Sequence, residues 1–196
     1  MPADRSEPHS APPARTDARR NRARIVAAAT QVFSSTEGPV SMDSIARRAG
    51  VGSGTLYRHF PTREDLIEEV YRDQLDRLHS GAQELLRTQS PARALGEWMG
   101  LLADWAAAKH GMSDALASAM ASGRIAPSAM RSELVQLLTA FLDAGGRTGD
   151  LRDDIDPADL GAVLAGALVV AGGAAQRDQL QRMLRIIVEG VLTREQ

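Results

Sequence analysis

Ser41, Ser53, Thr55, Tyr57, Arg58, His59 and Arg63 lie within one short stretch and carry hydroxyl, phenol, imidazole and guanidinium groups. Those groups bond phosphate oxygens and base edges. To act together they need a common scaffold. The stretch MDSIARRAGVGSGTLYRHF, residues 42 to 60, reads as two short helices joined by a glycine turn. Ala46, Gly50 and Leu56 stand where closely crossing helices need a small contact residue, a left-handed turn and an apolar anchor.

In a helix-turn-helix unit the second helix enters the major groove with its N-terminal residues at base edges, while the first crosses the backbone. Here the second helix opens at Gly52, so Ser53 and Gly54 face the bases, with Gly54 allowing close backbone approach. Arg58 supplies a long contact to a base edge or a phosphate, and Thr55, Tyr57, His59 and Arg63 are phosphate contacts that set register. Tyr57 also reads as a core aromatic with its hydroxyl pointing out. Ser41 pairs a hydroxyl with the free amides of the preceding helix, which makes a phosphate seat. Upstream, Arg15, Arg19, Arg20, Arg22 and Arg24 form a basic run that reads as a solvated face or as contacts to phosphates and a minor groove.

The elements that hold these groups are all helical. Ile25, Ala29, Val32 and Phe33 share one face of a helix starting near Asp17 and ending before Glu37-Gly38-Pro39. Ser41 caps the next helix, which stops at Gly50, and Leu56, Tyr57 and Phe60 form the apolar side of the third, ended by Pro61. Thr62 and Asp65 form a capping box with Asp in place of Glu and open a helix running to about Arg87. Beyond it, Pro91, Gly111, Pro127, Gly145-Gly146 and Pro157 separate helical segments near 92–110, 113–122, 128–146, 157–174 and 177–193. No segment alternates like a strand, so the fold class is all-α.

Composition narrows the functions. The chain has no cysteine, which excludes disulfides, thiolate metal sites and cysteine nucleophiles and suits a reducing compartment. Residues 1 to 63 carry 10 arginines against 5 acidic residues, while residues 64 to 196 carry 13 basic against 20 acidic, so a net of +5 faces a net of −7. A basic head on an acidic body suits a polyanion-binding module. The first residues hold charges and prolines where an export signal needs an apolar run, and Leu160 to Ala175 is too short and weakly apolar for a membrane span. The expected location is the cytoplasm, with no membrane partner. No nucleophile elbow, phosphate loop or metal-ligand spacing is present, so neither catalysis nor a cofactor or metal is expected.

The stretch from Ile25 to Val70, with its block TLYRHFPTREDL, resembles the DNA-binding domain of TetR-family transcriptional regulators. The resemblance implies a three-helix DNA-binding head, a C-terminal domain for ligand binding and dimerisation, and repression relieved by a small molecule. It also implies that Ser53, Gly54 and Arg58 face bases and that Ser41, Thr55, Tyr57, His59 and Arg63 face the backbone. Gly54 departs from the bulkier residue often found at its position. The domains expected are a disordered arm over 1–15, a DNA-binding unit over 16–63 and a ligand-binding and dimerisation domain over 64–196. The partners expected are double-stranded DNA bearing a pseudo-palindromic operator, a second copy of the chain, and an apolar or amphipathic small molecule. A head that docks on a protein instead of DNA is the alternative, and salt sensitivity separates the two.

In the body, Trp98 and Trp105 lie seven apart on one helix face, and with Leu102, Met112 and Met120 they are the candidate ligand-binding residues. At helical spacing such a stripe also reads as plain core. Glu97 and Asp104 read as exposed surface charge or as groups that favour a cationic ligand. Leu160, Val163, Leu164, Ala167, Leu168 and Ala171 on one helix, and Leu180, Met183, Leu184, Ile187 and Val191 on the next, read either as a buried core within the chain or, the reading preferred here, as a two-fold four-helix surface that pairs two copies.

Overall fold

The computed structural model describes residues 13–35, 40–171 and 176–193, with backbone alone at 13–16, 115 and 127–130. Within them run α1 (Pro13–Ser35), α2 (Met42–Ala49), α3 (Ser53–His59), α4 (Arg63–Thr88) and α5 (Pro91–Gly111). They continue with α6 (Ser113–Ala121), α7 (Pro127–Thr148), α8 (Pro157–Ala171) and α9 (Arg177–Val191). Extended pairing among the described residues is limited to one isolated bridge, Leu151 to Leu192. The arm expected over 1–15 falls almost wholly outside the described residues, and α1 starts at Pro13, four residues earlier than its apolar period implies.

Local chemistry sets most boundaries. The Ser41 hydroxyl accepts from the Ser44 amide at 3.2 Å and starts α2. Gly50 ends α2 at φ 64, a left-handed conformation that a side chain disfavours, and its amide donates back to the Arg47 carbonyl at 3.2 Å. At α4 the Thr62 hydroxyl accepts from the Asp65 amide while the Asp65 carboxylate accepts from the Thr62 amide, each at 3.1 Å, completing the reciprocal cap.

Helix α5 is the axis of the body, packed against α1, α4, α7 and α9. Its alanines let neighbouring helices close in, and Trp98 fills the centre, fully buried, with its ring 5.4 Å from that of Phe141. The Trp98 indole N–H donates to the Leu78 carbonyl at 3.0 Å, which fixes α5 to α4. At its far end α5 meets α1 backbone to backbone: a Cβ on Gly111 would collide with the Phe33 carbonyl.

The pairing surface expected on the last two helices needs correction. Leu160, Leu164, Ala167 and Ala171 of α8 and Leu180, Leu184 and Val191 of α9 are buried within the chain, and Leu168, Met183 and Ile187 are partly so. Helix α8 is apolar on nearly every side, so periodicity alone cannot say which face its own chain covers. The large apolar side chains left exposed on these two helices are Val163, Val169, Val170 and Ile186, of which Val169 is 86% exposed. Among the described residues no helix is long and apolar enough to cross a membrane.

Candidate nucleic-acid interface and body cavity

Two side chains hold α3 to the head. Leu56 and Phe60 are essentially fully buried, each contributing roughly 1.5–3 kcal/mol of apolar burial. The rest of α3 therefore points outward. Ser53, Gly54 and Arg58 are exposed, Thr55 and His59 are half-buried, and Gly52 precedes the helix as an exposed cap without a side chain. Tyr57 is 48% exposed, which corrects its placement on the apolar side: it sits one residue, about 100°, around the helix from Leu56. No atom of Gly54 is crowded, since a Cβ there would meet nothing within 4 Å.

Several of these groups already have partners. The Ser53 hydroxyl donates to Asp43 Oδ1 at 2.8 Å, linking the starts of α3 and α2. The Ser41 hydroxyl oxygen is engaged in its cap. Arg63, at the start of α4, has its Nε buried without a hydrogen-bond partner.

The basic run of α1 divides. Arg22 ion-pairs with Glu69 at 3.0 Å, reaches the His59 carbonyl at 3.4 Å and lies 4.5 Å from the centroid of the Phe60 ring, so its guanidinium braces the head. Arg24 donates to the Gly50 carbonyl at 3.5 Å. Arg20 pairs loosely with Asp17 at 3.7 Å, and Arg19 is exposed. Arg15 lies outside the residues whose side chains are described.

In the body a cavity of about 770 Å³ lies among α4, α5, α6, α7 and α8. Leu102, Trp105 and Met120 line it, as do Leu78, Leu116 and Leu137. Trp98 and Met112, expected beside them, are buried in packing outside its lining. Positions seven apart share a face, yet α5 is covered on several sides, so only the Trp105 end borders the opening. Glu97 is tied to Gln89 and Arg93, and Asp104 to Arg177, so neither acid faces the cavity.

Sequence reasoning passed over the polar groups of this wall. His79, Lys109, His110, Arg131 and Glu133 all border the cavity, and His79 Nε2 lies 3.8 Å from Glu133 Oε2. Lys109 Nζ stands 5.0 Å from the centroid of the Trp105 ring, and burial lowers the ammonium pKa from its ordinary value. Lys109 is the single lysine of the sequence, a signal that was open to reading. Near this wall, burial chiefly, and then the Glu133 charge, push the Tyr71 phenol up to about 12.

An outward-facing helix-turn-helix on a helical body with its own cavity defines a class of helical regulator. Residues 25–70 match the family of bacterial regulatory proteins named for TetR, and residues 90–193 match the C-terminal domain of SbtR-like transcriptional regulators. The chain is similar to the crystal structure of a TetR transcriptional regulator from Streptomyces coelicolor, with 42% identity and a TM-score of 0.78 over 89% of this chain and 99% of that one. A TetR regulatory protein from Mycobacterium vanbaalenii is 36% identical with a TM-score of 0.69, covering 92% and 99%. An HTH-type transcriptional regulator of Staphylococcus aureus (strain USA300) is 45% identical over 64 residues, which span 32% of this chain and about a third of that protein, 34%. The chain belongs to the TetR family of transcriptional regulators.

Proposed function

We propose that this protein is a sequence-specific, double-stranded DNA-binding repressor of the cytoplasm, acting as a homodimer that a small molecule releases from a pseudo-palindromic operator. The observation that carries the reading is the outward set on α3: Ser53, Gly54, Tyr57 and Arg58 are exposed while Leu56 and Phe60 anchor the helix from behind. Ser53, Gly54 and Arg58 read bases; Ser41, Gly52, Thr55, Tyr57, His59 and Arg63 hold phosphates.

Dimerisation uses the exposed apolar side chains of α8 and α9, Val163, Val169, Val170 and Ile186. Two heads on one axis multiply a weak half-site affinity and read a two-fold sequence. The effector occupies the body cavity, with Leu102, Trp105 and Met120 on its wall. It acts by population shift, favouring the head spacing that does not match successive major grooves, and its leverage equals its differential affinity for the two states. Helix α4 carries the change, since it borders the cavity at Leu78 and begins directly after α3.

Selection of bound duplexes from a random pool tests the reading, followed by anisotropy titration at several salt concentrations. The expected outcome is a two-fold symmetric site, affinity falling steeply with salt, and loss of binding in Tyr57→Ala and Arg58→Ala with unchanged circular dichroism. Unaltered DNA affinity in both variants would overturn it. Ile186→Asp, followed by sedimentation, is expected to yield monomers that bind half-sites weakly.

A further inference from the structure

The body cavity is left open on one side. Ala158, Ala162, Ala165 and Val169 of α8 border it, yet all four are exposed. Their spacing of four, three and four positions sets them in one row along the helix. On α6, Ser113 and Ala117 also border the cavity and are also exposed. The opening therefore lies between α6 and α8. Val169 stands at its edge, a large apolar side chain that is 86% exposed. An effector seated against this row keeps part of its own apolar surface in water and forfeits the gain of burying it.

The rest of α8 indicates what covers the row. At about 100° per residue, Gly166, Val170 and Val163 follow Ala162 and Val169 within roughly a third of a turn. These three are exposed too, so the cavity edge and the apolar face proposed for dimerisation form one continuous strip. A Cβ on Gly166 would meet nothing within 4 Å, which leaves the space beside it open to another helix. Asp159 is the one charge in α8, whereas Arg182 and Arg185 are exposed on α9 beside Ile186. Under two-fold symmetry a second copy offers the same apolar side chains to this strip and arginines to its lone acid.

We propose that the effector site is completed by the second copy of the chain, which closes the opening between α6 and α8 over the bound molecule. The inference rests on the dimer and effector readings above and adds that the two events are linked. Whatever factor dimerisation adds to effector affinity, two bound effectors return squared to the stability of the dimer. An effector held in this way tightens the dimer, so release from DNA comes from a change in head spacing and not from dissociation into monomers.

The test uses the full-length protein, sedimentation to fix the oligomeric state, and the neutral apolar dye N-phenyl-1-naphthylamine as probe. The chain has no cysteine, so Val169→Cys carries a single thiol at the cavity edge, and Gln83→Cys, exposed on α4, is the reference. The Val169→Cys thiol is expected to react with a disulfide reagent at least about tenfold more slowly in the dimer than after dilution to monomer, while Gln83→Cys reacts alike in both. The dye is expected to bind the dimer at least about tenfold more tightly than it binds monomeric Ile186→Asp, and saturating dye to tighten the parent dimer by up to about a hundredfold. The dilution arm needs no interface variant, so misfolding of Ile186→Asp cannot decide the result. If the Val169→Cys thiol reacts equally in dimer and monomer, or dye affinity is the same in both, the inference is wrong while the dimer and the cavity stand. A parent that stays monomeric at every concentration overturns the dimer reading together with it. If the dimer binds no dye, the effector reading falls and the inference falls with it.

Discussion

Arg22 and Glu69, 47 positions apart in sequence, meet at 3.0 Å and join α1 to α4 across the end of α3. The same guanidinium contacts the His59 carbonyl and the face of Phe60, while Glu69 also receives Arg72 at 2.9 Å. One side chain of α1 thereby reaches two other helices of the head, α3 and α4. A partly exposed ion pair contributes roughly 0.2–1 kcal/mol and an exposed cation–π contact about 0.5–1 kcal/mol. Arg22→Ala is therefore expected to lower head stability by about 1–2 kcal/mol in urea unfolding, while Arg19→Ala leaves it unchanged. Equal stability of the two variants would show that Arg22 braces nothing.

Asp43 accepts from the Ser53 hydroxyl at 2.8 Å, which places a carboxylate beside the outward face of α3. Under the DNA-binding proposal this acid repels phosphates and keeps a base-reading hydroxyl in one orientation. Asp43→Ala is expected to tighten binding to unrelated duplexes several-fold at low salt and to blur base preference where Ser53 reads. A titration series on matched and mismatched duplexes checks both effects. Weaker binding to unrelated duplexes would mean that the carboxylate supports the helix pair more than it repels DNA.

Local signals made the head legible. Gly50, the Thr62–Asp65 box and the Phe60-Pro61 stop each act within a few residues, and each appears in the structure as its chemistry dictates. Tyr57 shows where such reasoning ends, because a seven-residue helix anchored by Leu56 and Phe60 has no room to bury a third large side chain inward. The body cavity was only half visible. His79, Lys109 and Glu133 come from α4, α5 and α7, and only the packing of those helices brings them to one wall. Trp98 and Trp105 share a helix face, so spacing could not tell the core tryptophan from the one at the cavity. The α8 sequence is apolar all round and hides which side its own chain covers.

Gly111 and Gly100 make opposite predictions on one helix. At Gly111 a Cβ would run into the Phe33 backbone carbonyl, which cannot rotate away as a side chain would, whereas at Gly100 it would meet nothing within 4 Å. Gly111→Ala must push α5 from α1, with an expected loss of at least about 1–3 kcal/mol. Gly100→Ala, exposed in mid-helix, should gain about 0.5–1 kcal/mol from reduced backbone freedom in the unfolded chain. Differential scanning calorimetry of the two variants distinguishes them by the sign of the change in midpoint.

Tyr71 gives the fold an alkaline limit whose sign can be worked out. Its folded pKa is raised from 10.0 to about 12, chiefly by burial and then by the charge of Glu133. Between those values the unfolded chain has lost the phenolic proton and the folded chain has kept it. The folded state then binds more protons, so stability is full below pH 10 and drains away as pH rises toward 12. Lys109 works in the opposite direction: burial lowers its pKa below 10.5, so its contribution to stability rises with pH up to that value. Comparing the parent protein with Tyr71→Phe isolates the phenol, because both retain the lysine. Urea unfolding at pH 9, 10, 11 and about 12 should show a steeper alkaline loss in the parent than in Tyr71→Phe. Parallel curves would mean that the phenol ionises as easily in the folded chain as in the unfolded one, and that neither burial nor the Glu133 charge raises its pKa.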